Sequence, residues 1–230
     1  EKRSSNNILV KNERITKLIL PLKALNNNKV IDYLMSRGIS KNVICYCINN
    51  NSIYQDLRNN VVFVGYDNEN KAKYAGLRAT NSSRFMYEAE GSDKNYSFKL
   101  TLNNNSNSIH LFESAIDLLS YATLIELKNE DWKKYNLLSL AGIYKTARDI
   151  KESKTPKTLS NFLLNNPNIK KIYLHFDNDN AGILASKAIQ YSLSDSYEVI
   201  NSPPKNGKDV NDFLCNYIKQ LNKNNILNAR

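Results

Sequence analysis

The chain is 230 residues long, 41% hydrophobic and 23% charged, which supports a packed core and excludes a disordered or collagen-like polymer. Three cysteines, Cys45, Cys47 and Cys215, exclude a disulfide framework and a four-cysteine zinc site. No apolar run reaches the roughly 18 residues of a membrane span and the polar start carries no secretory signal, so a cytoplasmic protein with no membrane partner is expected. A net charge of +10 favours an anionic partner, although charge alone fits a basic protein without nucleic acid as well. Residues 1–105 hold 16 basic and nine acidic residues, and residues 106–230 hold 16 and 13, so the excess lies in the first half.

Residues 1–29 read as a polar, mobile segment. Residues 30–105 read as a smaller α+β subdomain. Within it, Val30, Ile31, Leu34 and Met35 sit at helical spacing and Gly38 stops the helix; Ser40 caps a second helix through Val43, Ile44 and Cys47. Residues 61–66 form a β-rich run, 67–70 a turn, and 73–79 the returning strand, with further strands expected over 85–89 and 96–102 in the same antiparallel sheet. The polar run over residues 103–108 is the clearest break, and residues 106–230 form the second unit. There strands over 109–112, 137–140, 171–176 and 197–200 alternate with helices over 114–127, 159–164, 181–193 and 210–221. Alternation of this kind predicts an α/β domain, a parallel sheet with helices on both faces.

Ligands of such sheets sit beyond the carboxyl ends of the strands. Glu113 follows the first strand at once, and Asp177 and Asp179 follow the strand over 171–176. Alone, each is also the residue type of a helix cap or polar turn. Together, three carboxylates at one sheet edge repel one another, and a hard divalent cation relieves this through oxygen ligands. Lys73, Arg78, Arg84, Lys94 and Lys99 alternate with Tyr74, Phe85, Tyr87, Tyr96 and Phe98, which suits single-stranded nucleic acid or an ordinary amphipathic sheet. Lys145 lies near the edge as a nucleic-acid contact or a solvated lysine. His110 and His175 fall inside strands and read as core residues.

Glu113-Ser114-Ala115-Ile116-Asp117 and Asp177-Asn178-Asp179-Asn180-Ala181-Gly182 resemble the two acidic motifs of the Toprim domain, with Ser114 where the family usually has glycine. With residues 138–142 and Lys208-Asp209-Val210-Asn211-Asp212, the pattern resembles the primase-like Toprim proteins of conjugative plasmids and other mobile elements. Residues 33–40, 61–65 and 76–78 look like the amino-terminal part of the bacterial primase core. No Cys/His cluster matches that family's zinc module and its basic motif is not recognisable over residues 84–99, which weighs against autonomous priming.

The resemblance implies Mg²⁺ or Mn²⁺ held by Asp177 and Asp179, with Glu113 as a third ligand or a general acid/base. It places Lys208, Asp209 and Asp212 in a late auxiliary motif; Asp209 reads equally as a helix cap. Asp117, one helical turn beyond Glu113, reads as an outer-shell group or a helix-surface charge. The implied activity is primase-type nucleotidyl transfer on single-stranded DNA with nucleoside triphosphates, beside replication or transfer proteins. A Toprim nuclease and a non-catalytic DNA-binding accessory are the alternatives.

Overall fold

The computed structural model describes residues 17–83, 85–101, 106–140, 142 and 144–228. Two short helices open the ordered part, α1 (Asn28–Ser36) and α2 (Lys41–Asn49). Gly38 ends the first by adopting φ +80°, a conformation that side chains with a Cβ rarely take. Ser40 caps the second, its side chain accepting from Val43 N at 3.2 Å. An antiparallel sheet follows in the order β1-β2-β3-β4, formed by β1 (Ile53–Gln55), β2 (Val61–Tyr66), β3 (Ala72–Arg78) and β4 (Met86–Glu88).

The second sheet contains β5 (Lys99–Thr101), β6 (Ser108–Phe112), β7 (Asn136–Ser139), β8 (Lys171–Leu174) and β9 (Glu198–Asn201), in the order β5-β7-β6-β8-β9. All its pairings are parallel except β5 with β7. Its helices are α3 (Ala115–Leu127), α4 (Lys157–Asn165), α5 (Asn180–Leu193) and α6 (Val210–Asn228). Alternation along β6 sends Ile109 and Leu111 into a core shared with α4 and α5, and Phe112 into the opposite core beneath α3 and α6. The expected α/β alternation with helices on both faces is thus present, made mixed by one edge strand.

Two expectations need correction. The strand Lys99–Thr101, expected in the first sheet, pairs with Asn136–Leu138 and edges the second. Its short alternating pattern fits either sheet edge, and the buried Phe98 beside it decides the matter by packing against Phe63 and the second-sheet core. Residues 17–27 lie within the segment expected to be mobile, yet they run along the first sheet. Ile19 N donates to Glu90 O at 2.9 Å, Ala24 N to Gln55 O at 2.8 Å, and Leu57 N to Leu22 O at 3.2 Å. Leu18 packs on the small apolar cluster of Tyr54, Val62, Val64, Ala75, Leu77 and Ala89. The rest of that expectation, residues 1–16, lies outside the described residues, as does Arg84.

The two units share one core. Val30, Leu34, Val43, Ile53 and Phe63 from the first cluster with Phe112, Leu118, Leu137 and Leu214 from the second. Within that core His110 Nδ1 lies 2.9 Å from His175 Nε2, and His175 Nδ1 lies 2.8 Å from Ser202 O. The carbonyl can only accept, so His175 carries its proton on Nδ1 and accepts at Nε2 from His110. Burial holds His110 down at about 4 and His175 down at about 3, so both are neutral core residues.

Candidate active site

Strand order assembles the site. β6 and β8 are neighbours, with Leu111 opposite Leu174, so the residues following each strand emerge side by side at the carboxyl edge. Asp177 N donates to Glu113 Oε1 at 3.1 Å, fixing the glutamate against the next loop. Asp179 is the N-cap of α5, accepting from Gly182 N at 3.0 Å. The glycine is obligatory there: a Cβ on Gly182 would stand 2.3 Å from the Asp177 carbonyl oxygen and 2.9 Å from its nitrogen. The motif's last residue therefore lets α5 lie directly on the backbone that presents Asp177.

Asn178, between the two aspartates, bonds to the loop after β9. Its side chain donates to Pro204 O at 2.9 Å and Gly207 O at 3.0 Å, and its backbone N to Lys208 O at 2.7 Å. These bonds pin the loop after β9 against the acidic loop. Sequence reasoning passed over Asn178, because an asparagine between two aspartates carries no distinctive signature. Lys208 Nζ consequently sits 3.4 Å from Asp177 Oδ2 and 3.4 Å from Asp179 Oδ2.

Two auxiliary residues are caps. Asp209 Oδ1 accepts from Asp212 N at 2.7 Å at the start of α6, and Asp212 Oδ2 accepts from Lys208 N at 3.3 Å. Asp117 is not a surface charge: it is 6% exposed, because α6 crosses α3 over it. Its Oδ2 accepts from Ser114 Oγ at 2.5 Å and its Oδ1 from Asn211 N at 3.2 Å. Asn211 also donates to Ser120 Oγ at 2.9 Å and Arg37 O at 2.7 Å, tying α3, α6 and the end of α1 together.

The electrostatics follow burial. Glu113 is pushed up to about 7, first by desolvation and then by the neighbouring Asp177. Asp117 is pushed up to about 7 mainly by burial. Asp177 is also raised, by burial and by Asp209, against the opposing pull of Lys208. Asp179 goes the other way, held down by the Gly182 N–H and Lys208. The ammonium of Lys208 is held up by both aspartates.

Among the described residues, no three His, Cys, Asp or Glu side chains are arranged to hold a metal ion. The expected carboxylates are gathered but not closed, because Lys208 stands between two of them. The donor set nevertheless fits a hard divalent cation. It is all carboxylate oxygen, it is partly desolvated, and two of its members already pair with a cationic group.

A cleft of about 360 Å³ opens beside this edge, between the antiparallel sheet and the start of α3. Its wall is largely apolar and aromatic, with Tyr74, Met86, Tyr87 and Phe98 facing Ser114 and Ile116. A second cavity of about 420 Å³ shares Tyr74, Glu88 and Gly142 with the first and carries Lys94, Lys145 and Lys157 beside Tyr96 and Tyr144. The predicted basic residues thus divide. Arg78 lines the first cleft, its Nε donating to Tyr33 OH at 2.8 Å. Lys94 and Lys145 line the second, with Lys94 also 3.1 Å from Glu88. Lys73 lies 3.5 Å from Asp67 and lines neither cavity, and burial lowers the Lys99 ammonium.

Residues 110–214 match the Toprim-like family, and residues 32–105 match a family described as a protein of unknown function, DUF3991. The chain carries a Toprim-like domain. Structurally it is similar to the primase fragment of the bacteriophage T7 primase-helicase protein, with TM-score 0.55 and 21% identity over 80% of this chain and 69% of that one. It is similar also to the zinc-binding and RNA polymerase domains of the Aquifex aeolicus primase, with TM-score 0.54 and 17% identity over 88% of this chain and 56% of that one. A DnaG primase catalytic domain bound to single-stranded DNA gives TM-score 0.52 and 16% identity over 82% of this chain and 69% of that one. These likenesses show a primase-core fold around the Toprim-like domain. Curated relatives are a 65 kDa protein of Zymomonas mobilis, 31% identical over 82% of this chain, and an uncharacterized protein of Bacillus anthracis, 32% identical over 49%. The chain spans about a third of the length of each, 31% and 34% respectively. No helix among the described residues is long and apolar enough to cross a membrane.

Proposed function

We propose that this chain is the catalytic part of a primase-type nucleotidyltransferase that uses Mg²⁺ or Mn²⁺ and joins ribonucleotides on a single-stranded DNA template. The observation that carries the reading is the carboxylate set of Glu113, Asp177 and Asp179 at the carboxyl edge of the sheet, with an aromatic cleft opening beside the adjoining Ser114, within a primase-core fold. Asp177 and Asp179, with Glu113, would hold the cation, which when bound neutralises and aligns phosphate oxygens. The chain's own residues do the rest. Where Glu113 is not itself a ligand, its carboxylate, held by Asp177 N, can take a proton from an attacking hydroxyl. The apolar cleft excludes water and offers Tyr74 and Tyr87 as stacking surfaces for a base. Arg78, held by Tyr33, and the Lys94–Lys145–Lys157 groove offer positive charge to the template backbone.

The cellular setting we propose is replication or transfer of a plasmid or other mobile element in the cytoplasm, beside replication or transfer proteins. Its support is the motif resemblance of residues 113–117 and 208–212. The test is incubation with single-stranded DNA, labelled ribonucleotides and Mg²⁺ or Mn²⁺. Extension is expected, and Glu113→Gln should keep DNA binding while slowing extension by about 10²-fold, the scale of a lost acid/base group. Cleavage of the DNA in place of extension would make the site a nuclease. Retention alone, with either metal, would leave a DNA-binding accessory.

A further inference from the structure

Lys208 occupies the position that the proposed reading gives to a divalent ion. Its Nζ is equidistant, at 3.4 Å, from Asp177 Oδ2 and Asp179 Oδ2. The backbone on either side of Lys208 is firmly placed. Its carbonyl accepts from Asn178 N at 2.7 Å and its N donates to Asp212 Oδ2 at 3.3 Å. Gly207 just before it adopts φ +85°, and a Cβ there would fall 2.7 Å from Asp212 Cβ. The side chain is a different matter: it is 59% exposed. The loop is thus built to deliver a lysine to the acidic centre, while the tip remains able to leave.

We propose that Lys208 is a displaceable counter-cation. It holds Asp177 and Asp179 together in the metal-free protein, is expelled when a divalent ion takes their oxygens, and then pairs with a phosphate oxygen of the incoming nucleotide. The proposal rests on the metal reading of this site. Its physical basis is competition: a doubly charged ion on the two Oδ2 atoms repels an ammonium 3.4 Å from both, so metal entry on those oxygens disfavours both ion pairs. The expelled ammonium is left beside the ion without an anion, and a phosphate supplies one. Metal and nucleotide therefore favour each other's binding, reciprocally.

The test is calorimetric titration of Mn²⁺ into the whole protein at fixed ionic strength, for the parent, Lys208→Gln, Lys208→Arg and Lys205→Gln. Lys205 is exposed in the same loop and matches the charge change without touching the aspartates. Lys208→Gln should bind Mn²⁺ about tenfold more tightly, equivalent to about 1.4 kcal/mol. Lys208→Arg should stay near the parent, and Lys205→Gln should change affinity less than about twofold. With Mn²⁺ saturating, Lys208→Gln should bind a nucleoside triphosphate about tenfold more weakly. Lys208→Gln binding Mn²⁺ no more tightly than the parent, or Lys205→Gln giving the same gain, would overturn the proposal while leaving the metal site standing. A folded parent that binds no Mn²⁺ would overturn both.

Discussion

Gly182→Ala tests whether the acidic loop is held by helix α5. The new methyl group would lie 2.3 Å from Asp177 O, whereas real Cβ atoms essentially never come within 3.0 Å of such a neighbour. The helix start or the Asp177 backbone must therefore move by at least 0.7 Å. The obstacle is main chain, so no side-chain rotation relieves it. Overpacking of this kind costs about 1–3 kcal/mol, and alanine's better helix propensity returns about 1 kcal/mol. A net loss of up to about 2 kcal/mol should lower the melting temperature by up to about 8 °C, at roughly 2–4 °C per kcal/mol for a chain of this size. The displacement falls on the residue bonded to Glu113 and salt-bridged to Lys208, so stabilisation by Mn²⁺ should fall as well. Paired thermal melts, with and without Mn²⁺, measure both. An alanine variant that melts at or above the parent and gains as much from Mn²⁺ would refute the argument that this glycine seats the aspartate.

Three further outcomes are expected. Asp117 has a folded pKa raised to about 7 from 3.8, so its burial penalty is absent below pH 3.8, grows as pH rises and is complete above 7, on the order of 4 kcal/mol. In EDTA, Asp117→Asn should therefore melt above the parent at pH 8 and approach it at pH 5; a lower melting temperature at pH 8 would show that the carboxylate is needed as an ion. The chain's only two histidines should both be neutral at pH 6, with the His175 proton on Nδ1, and nitrogen chemical shifts showing an imidazolium on either would contradict the buried pair. Replacing Arg78 and Lys145 together by glutamine should weaken single-stranded DNA binding and flatten its salt slope by about 1.4, at roughly 0.7 per phosphate; an unchanged slope would move the template to another face.

What the sequence reveals of this protein is chiefly local. Strand–helix alternation over residues 106–221, the Ser40 cap and the Gly38 stop depend on near neighbours, and each lies where its residues predict. Glu113, Asp177 and Asp179 are legible because an acid in the loop that leaves a strand has one sheet edge to occupy, whatever the rest of the chain does. The hidden features are non-local. The strand Ile53–Gln55 is three residues long and exists by pairing with Val61–Phe63. Lys99–Thr101 takes its sheet from a partner nearly 40 residues later. Asp117 has the spacing of a helix-surface residue and is buried because α6, which carries Asn211 94 residues on, packs over it.

Charge shows the same division more sharply. The acidic residues can be read as a set, yet their protonation depends on which helix covers Asp117 and on which loop brings Lys208. Asn178 decides the second point through three hydrogen bonds to the loop after β9, although an asparagine between two aspartates carries no distinctive signature. Its bonds run through side chain and backbone to carbonyls of the loop after β9, so they set the distance between the acidic loop and its lysine without using a carboxylate oxygen. Asn178→Ala should therefore loosen Lys208 while sparing the three carboxylates. Mn²⁺ affinity should rise toward that of Lys208→Gln, with a lower metal-free melting temperature from the lost bonds, each worth about 0.5–1.5 kcal/mol. Calorimetry on Asn178→Ala settles it: an affinity for Mn²⁺ that falls would mean the asparagine positions the aspartates themselves, and that the lysine is placed by its own loop.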